Sequence, residues 1–226
     1  MVFLGKQHDF PMKKIIGKTV LTLVLVICCY FFVDTRIALV VRGAWLSHAR
    51  LDVFAADIPD LLLFFVCGVT GFGWAVYFHR AHRGIFDNHT RFFRLIAITV
   101  PLTFFLKSLL KIAVGRITTR FWLDHPGYPE FHWFNGRSHY DGFPSGHMAV
   151  FVALGIALWE FYPRQRILYA ISLSVLAIAL IVTDYHFVSD IIAGAYLGLI
   201  VHGGVHDHLS LMLNSCEENR RIPAKE

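Results

Sequence analysis

The sequence predicts an all-α polytopic membrane protein with about six transmembrane helices and one short interfacial helix. Of its 226 residues 56% are hydrophobic and 16% charged, and the mean hydropathy is +0.55, so the chain is more apolar than ordinary soluble domains. The apolar residues form near-continuous runs that approach the ~20 residues a spanning helix needs. Barrel strands would instead show alternating segments of roughly 10 residues. Because backbone polar groups in lipid must be satisfied internally, these runs predict helices.

Six apolar segments give the spans, and residues 1–226 are predicted to form a single membrane domain. The first follows a group of lysines and resembles a signal peptide, but no small-residue cleavage site comes after it, so a retained anchor is predicted. The fourth segment is short, and it reaches full length only if its helix begins near Ser145 and ends near Tyr162. The predicted spans are residues 15–33, 58–78, 92–110, 148–161, 167–185 and 188–205.

Residues 37–54 mix apolar side chains with Arg42, His48 and Arg50. This pattern is typical of an amphipathic helix that lies in the membrane surface. We therefore predict the interfacial helix between the first two spans.

The positive charge of the chain is distributed unequally between the two sides of six spans. One side, which includes both termini, holds thirteen Lys and Arg residues and the other holds eight. The positive-inside rule therefore predicts cytoplasmic termini, with the third and fifth loops outside. The formal net charge of +5 follows from this topology, and no nucleic-acid partner is predicted.

A short motif precedes the fourth span, Gly142-Phe143-Pro144-Ser145-Gly146-His147. Ser145 is suited to cap a helix, and the free N–H groups of a helix N-terminus bind phosphate. Gly146 would let the backbone approach an anion closely, and His147 would stand beside it as a proton donor. The same residues also suit a simple helix cap with a histidine at the membrane interface, and the motif alone leaves both interpretations open.

A second candidate group lies between the fifth and sixth spans. His186 and Asp190 are four residues apart, so on a helix they share a face and the carboxylate can orient the imidazole. The other ring nitrogen then remains available as a nucleophile or base. Such pairs on surface helices are often only local hydrogen bonds, but ionisable residues beside a membrane are more often functional.

Cationic residues follow the third span. Phosphoryl transfer requires cations around the phosphate oxygens, which gives Lys111, Arg116 and Arg120 a use in an anion site. The alternative is a basic helix end that snorkels to the interface, and for Lys107 this alternative is preferred.

Together these residues resemble the type 2 phosphatidic acid phosphatase family of membrane lipid phosphatases. That family's pattern has a Lys with an Arg-Pro seven residues on, then Pro-Ser-Gly-His, then Ser-Arg, five residues, His, three residues and Asp. The middle motif is intact, the last half of the third is present as His186 and Asp190, and the first supplies Lys111. The resemblance covers about residues 60–205 and gives the expected phosphatase-like core.

The resemblance implies a metal-independent hydrolase without a cofactor that acts on a lipid phosphate or diphosphate. Undecaprenyl diphosphate, phosphatidate and phosphatidylglycerol phosphate are all compatible substrates, and membrane lipids surround the protein. His186 would attack phosphorus to form a phosphohistidine, Asp190 would orient it, and His147 would protonate the leaving group. Lys111, Arg116 and the backbone of Ser145 and Gly146 would hold the phosphate.

The chain departs from the family pattern at two arginine positions. Thr118-Thr119 stands where the family has Arg-Pro, and Ala179-Leu180 stands where it has Ser-Arg. We expect Arg120 and Arg137, which lie in the same loop, to replace these arginines. Asp184-Tyr185-His186 is similar to the Asn-Tyr-His of a bacterial branch of the family, so the substitutions are compatible with an active enzyme.

Two other functions and one other site remain open at this stage. Phosphotransfer to a second lipid would use the same residues, and a non-catalytic lipid-phosphate binder would tolerate the missing arginines. His202, His206, Asp207 and His208 could bind a transition metal, although histidines also suit a helix C-terminus, and no metal site is predicted. The expected location is a bacterial inner membrane, with the active site on its periplasmic or extracellular side.

Overall fold

The computed structural model describes residues 12–45, 58–135 and 139–221. Within them the chain is almost wholly helical, and the β-structure is limited to one isolated bridge between Arg116 and Phe131. The α-helices are α1 (Met12–Cys29), α2 (Thr35–Trp45), α3 (Ile58–His82), α4 (Asn88–Val114), α5 (Thr119–Asp124), α6 (Gly146–Phe161), α7 (Arg166–Val182) and α8 (Val188–Arg221).

The first predicted span continues through a π-helical turn, Tyr30–Asp34, directly into α2. The residues on either side of the turn, Cys29 and Thr35, have right-handed helical backbone angles, so no break separates the two helices. The predicted interfacial segment, residues 37–54, is therefore helical through Trp45 as an extension of the first helix. Its remaining residues lie outside the described ranges. Single π turns within α-helices are frequent at functional sites.

Among the described residues, five helical stretches are long and apolar enough to cross a membrane: Ile15–Ala44, Leu61–His82, Asn88–Val114, Pro163–Val182 and Val188–Met212. The fourth predicted span corresponds to α6, which has only 16 residues. Ala149, Val150, Ala153 and Ala157 on α6 are completely buried, and α4, α7 and α8 pack around this helix. The short helix is thus enclosed by protein rather than by lipid.

The ends of α4 are fixed by the residues that flank it. The Asp87 carboxylate accepts a hydrogen bond from the Thr90 backbone N–H at 3.0 Å and caps the first turn. At the other end Gly115 has φ 54°, and its N–H donates to the Lys111 carbonyl. A Cβ at Gly115 would lie 1.9 Å from the His132 carbonyl oxygen, so the close approach of this loop requires glycine. The basic residues after α4 are thereby held against the site described below.

The contact between α6 and α8 depends on two glycines one turn apart. A Cβ at Gly194 would lie 2.4 Å from the Ser145 carbonyl oxygen, and a Cβ at Gly198 would lie 2.3 Å from that of Ala149. Small residues at this spacing allow helix backbones to approach closely in membranes. The approach brings the first turns of α6 and α8 together.

Gly198→Ala is expected to destabilise the protein, because the added methyl group must push the two helix backbones apart. Overpacking of this kind costs about 1–3 kcal/mol, measurable as a lower midpoint of unfolding in mixed detergent. Gly204→Ala on the same helix is the matched control, since nothing lies within 4 Å of a Cβ there. A loss no greater than that of the control would contradict the packing argument.

Candidate active site

The N-terminus of α6 is built by the residues of the sequence motif. Ser145 is fully buried, and its Oγ accepts a hydrogen bond from the Met148 N–H at 3.4 Å, as predicted for a cap. The Ser145 N–H donates to the Asp190 carbonyl at 3.0 Å, which fastens the start of α6 to the start of α8. The Lys107 side chain runs past Gly146, its Cδ 3.2 Å from where a Cβ of that glycine would stand. A lysine therefore lies beside the helix N-terminus.

His186 lies in the short connection between α7 and α8. It is 3% exposed, and neither ring nitrogen has a hydrogen-bond partner within the described ranges. Its Nδ1 is 3.7 Å from Asp190 Oδ2, which is longer than a hydrogen bond. The same carboxylate oxygen accepts from the Phe187 N–H at 3.0 Å. The predicted pair is thus adjacent, and a small shortening would complete its hydrogen bond.

Burial determines the charge state of His186. Loss of solvation lowers the pKa of the imidazole below its ordinary value, and the neighbouring Asp190 carboxylate opposes that shift. The lowered pKa favours the neutral ring, which is the form that can act as a nucleophile. Buried polar atoms without partners are uncommon in proteins, and a catalytic role is one of the explanations for them.

Tyr185 brings the two candidate histidines to one place. Its ring centroid is 5.6 Å from that of His147 and 5.0 Å from that of His186, with edge-on packing in both cases. Burial raises the pKa of Tyr185 to about 12, so its hydroxyl stays protonated near neutral pH. The motif at the start of α6 and the turn before α8 therefore form one site.

Arg116 occupies a buried position behind the histidines. Its Nη1 donates to Ser189 Oγ and to Asp190 Oδ1, each at 2.6 Å, and its Nη2 donates to Asp34 Oδ2 at 2.8 Å. Burial acts to lower the pKa of Arg116, but the Asp190 and Asp34 carboxylates raise it overall, so the guanidinium remains charged.

Aromatic rings enclose the same guanidinium. Its Cζ is 4.4 Å from the Phe187 ring centroid and 5.1 Å from that of Tyr30, a geometry in which the ring quadrupole attracts the cation. Arg116 was predicted to bind phosphate, yet both of its Nη atoms are hydrogen-bonded to side chains of the protein. This arrangement differs from that of a cation that faces an open anion site.

Sequence reasoning missed Asp34. This carboxylate is 2% exposed and comes from the first helix, at the π turn. It is the only acidic residue in the apolar stretch Ile15–Ala44. An acidic residue in such a stretch is costly unless it is paired, and this was the signal that could have identified it.

Lys111 and Arg120, two other predicted cations, lie at the edge of this site. Lys111 Nζ is 3.2 Å from Asp141 Oδ2, and Arg120 Nη2 donates to the Thr183 carbonyl at 3.1 Å, beside the turn that carries Tyr185 and His186. Lys107, which was interpreted as a snorkelling residue, has its Nζ 4.0 Å from the Phe104 ring centroid. Arg137 lies outside the described residues.

Two histidines in the middle of α8 contact a carboxylate near the C-terminal end of α6. His202 Nε2 and His206 Nε2 lie 3.2 and 2.9 Å from the two oxygens of Glu160. Within the described part of the chain no group of three or more His, Cys, Asp or Glu side chains has the geometry to hold a metal ion.

Comparison with known proteins identifies relatives over the part of the chain that carries the site. The model of the PAP2 superfamily matches residues 92–208, more than half of the chain. The lipid A 1-phosphatase of Rhizobium johnstonii is 33% identical over 100 residues, which is 44% of this chain and 41% of the relative. That of Rhizobium etli is 32% identical over 100 residues, 44% of this chain and 43% of the relative. The match therefore spans about two fifths of each curated relative.

Among solved structures, the first transmembrane PAP2 type phosphatidylglycerolphosphate phosphatase, from Bacillus subtilis, is similar with a TM-score of 0.49 and 18% identity. The similarity covers 95% of this chain and 100% of the other.

Proposed function

The chain belongs to the PAP2 superfamily of membrane lipid phosphatases, and we propose that it removes phosphate from a lipid phosphate or diphosphate through a phosphohistidine intermediate. The observation that carries this proposal is the meeting of His147 and His186 on the ring of Tyr185, beside the N-terminus of α6. A non-catalytic binder would need a phosphate cradle but not two histidines at one place.

In the first step of the proposed reaction His186 Nε2 attacks phosphorus. The new N–P bond forms as the P–O bond to the lipid breaks, and His147 gives a proton to the leaving oxygen. Asp190 stabilises the positive charge that develops on the imidazole. In the second step water attacks the phosphohistidine, His147 takes its proton, and inorganic phosphate leaves with His186 restored.

The phosphate would be held by the N-terminus of α6 and by nearby cations. The backbone at Ser145 and Gly146 supplies N–H groups at the positive end of a helix dipole, and Lys111 and Arg120 lie at the rim of the same site. Arg120 and Arg137 remain our proposed replacements for the arginines absent at Thr118 and Leu180. The Nη atoms of Arg116 instead donate hydrogen bonds to two carboxylates and a hydroxyl. We therefore propose that Arg116 positions Asp190 rather than binds phosphate.

We place the site on the outward-facing side of a bacterial inner membrane. The support is the excess of Lys and Arg on the side that holds both termini, and the bacterial origin of the relatives. A lipid would enter from the outer leaflet.

Phosphate release from a panel of lipids tests the proposal. The purified protein in detergent with EDTA would be offered lipid A, which the relatives' name suggests, together with undecaprenyl diphosphate, phosphatidate and phosphatidylglycerol phosphate. Release of inorganic phosphate from at least one lipid is expected. A doubly phosphorylated lipid product without free phosphate would establish phosphotransfer, and binding without turnover would establish a lipid-phosphate binder.

The pH dependence of turnover is expected to reflect the lowered pKa of His186. Only the neutral ring attacks, so kcat/KM falls when pH drops through the pKa of the folded protein, which burial places below the ordinary value of 6.5. Turnover should thus be retained at pH 6.5 and be lost only at lower pH. The ionisation of the lipid phosphate is measured separately by phosphorus NMR and subtracted. An acid limb of enzyme origin centred at or above pH 6.5 would contradict the assignment.

A further inference from the structure

Asp34 contacts both Arg116 and the first turn of α8. Its Oδ2 accepts from Arg116 Nη2 at 2.8 Å and from the Ser189 hydroxyl, and its Oδ1 accepts from the Ser189 N–H at 3.0 Å. The Ser189 N–H lies in a first helical turn, where backbone donors have no intrahelical partner. One carboxylate from the first helix therefore pairs with a buried cation and accepts a backbone N–H of a helix N-terminus.

A chain of contacts leads from this carboxylate to the candidate nucleophile. Arg116 Nη1 donates to Asp190 Oδ1 at 2.6 Å, and Asp190 Oδ2 is 3.7 Å from His186 Nδ1. Asp34, Arg116, Asp190 and His186 are each no more than 3% exposed. Water therefore screens their charges only weakly. A displacement of Arg116 would therefore be transmitted to Asp190.

The charges of Asp34 and Arg116 also determine the electrostatic potential that Asp190 presents to His186. Arg116 alone beside Asp190 would neutralise it and weaken its support of a positively charged imidazole. With Asp34 present, the two carboxylates and one guanidinium together carry one negative charge, and Asp190 keeps a negative potential towards His186. The negative charge of Asp34 thus offsets the positive charge of Arg116.

We infer that Asp34 is a positioning residue of this active site, which acts through Arg116 and Ser189 to hold Asp190, negatively charged, against His186. The inference rests on the proposed phosphatase function. Asp34 lies outside residues 92–208, the region that the family model matches, so the first helix completes a site whose other members lie within that region.

Asp34→Asn is expected to lower kcat on the order of 10–100-fold, by analogy with the loss of a partner that orients a metal ligand, with KM changed less than about twofold. Thr19→Val is the matched control. It removes a hydrogen bond between the same first helix and Tyr196 of α8, fifteen residues before Asp34, so kcat should stay within about twofold of the parent. A kcat of folded Asp34→Asn within about twofold of the parent would overturn the inference.

A readout independent of turnover separates this inference from the proposed function. The charged groups that act on His186 are Asp190, Lys111 and Asp141, with Arg116 behind Asp190. In Asp34→Asn the charge of Arg116 is less compensated, so the pKa of His186 should fall further. Histidine-selective NMR in detergent measures this titration, and the His186 signal is identified by its loss in His186→Gln.

The outcomes are distinct. If the parent protein releases no phosphate from any lipid, the proposed function fails, while the His186 titration still decides whether Asp34 acts on that ring. An unchanged titration in folded Asp34→Asn overturns the inference even when the parent is active. If Asp34→Asn does not fold, Ser189→Ala carries the test, because it removes only the hydroxyl that bridges Asp34 and Arg116. A several-fold lower kcat at unchanged KM supports the inference, and an unchanged kcat overturns it.

Discussion

His186→Gln is expected to reduce phosphate release on the order of 10⁴-fold or more. When several catalytic residues act together, removal of the nucleophile alone abolishes most of the rate enhancement that they provide. Glutamine keeps a comparable volume and a polar end, so the buried turn between α7 and α8 should still form. The measurement is kcat/KM for the best lipid of the panel. Binding of that lipid should change little, since in the proposed site the phosphate would be held chiefly by the α6 N-terminus, Lys111 and Arg120.

The control is another buried histidine on the adjoining helix. His202 is 4% exposed and contacts Glu160 at the C-terminal end of α6, so His202→Gln removes a buried imidazole without touching the proposed site. Its turnover should stay within about twofold of the parent. Residual activity of His186→Gln above about a tenth of the parent would rule out this histidine as the nucleophile.

Arg116→Met should produce the largest loss of stability, about 3–5 kcal/mol, because it leaves two buried carboxylates without their cation. Methionine fills similar space and should keep contact with the rings of Phe187 and Tyr30. The loss of stability should therefore result from the missing positive charge rather than from a cavity. The free energy of unfolding in mixed detergent, followed by circular dichroism, measures it. Adding Asp34→Asn should restore part of the loss, because one orphaned carboxylate is then removed.

Arg36→Met serves as the control for Arg116→Met. Arg36 lies two residues after Asp34 on the same helix, and it is exposed. Its replacement should change stability by less than about 0.5 kcal/mol, as is usual for surface substitutions. If Arg116→Met cost no more than about 1 kcal/mol, the buried ion network would not hold the first helix to the site.

The spans and the two histidine motifs could be predicted because each depends on local rules. Run length and composition place α3, α4, α7 and α8, and a buried Ser145 caps α6 as its side chain suggests. The spacing of His186 and Asp190 likewise places them near one another, at 3.7 Å. These features require only residues that are neighbours in sequence.

The ion pairs of Arg116 could not be predicted from the local sequence. Its position after a span and near a polar loop is the same for an anion ligand and for a buried ion pair, and the deciding partner, Asp34, is 82 residues away in sequence. The path of Lys107 past Gly146 also depends on how two helices pack. Contacts between distant segments follow from the close approach of α6 and α8 and from the continuous first helix, neither of which has a local signature strong enough to predict it.

Trapping the covalent intermediate tests the central claim most directly. The protein would be mixed with a lipid labelled with ³²P in the phosphate to be released, and quenched in alkali within milliseconds, since a phosphorus–nitrogen bond to histidine survives base. The account predicts label on the peptide that contains His186, absent from His186→Gln and present in His202→Gln. Rapid release of labelled phosphate without label on that peptide, or with label on His147 instead, would contradict it.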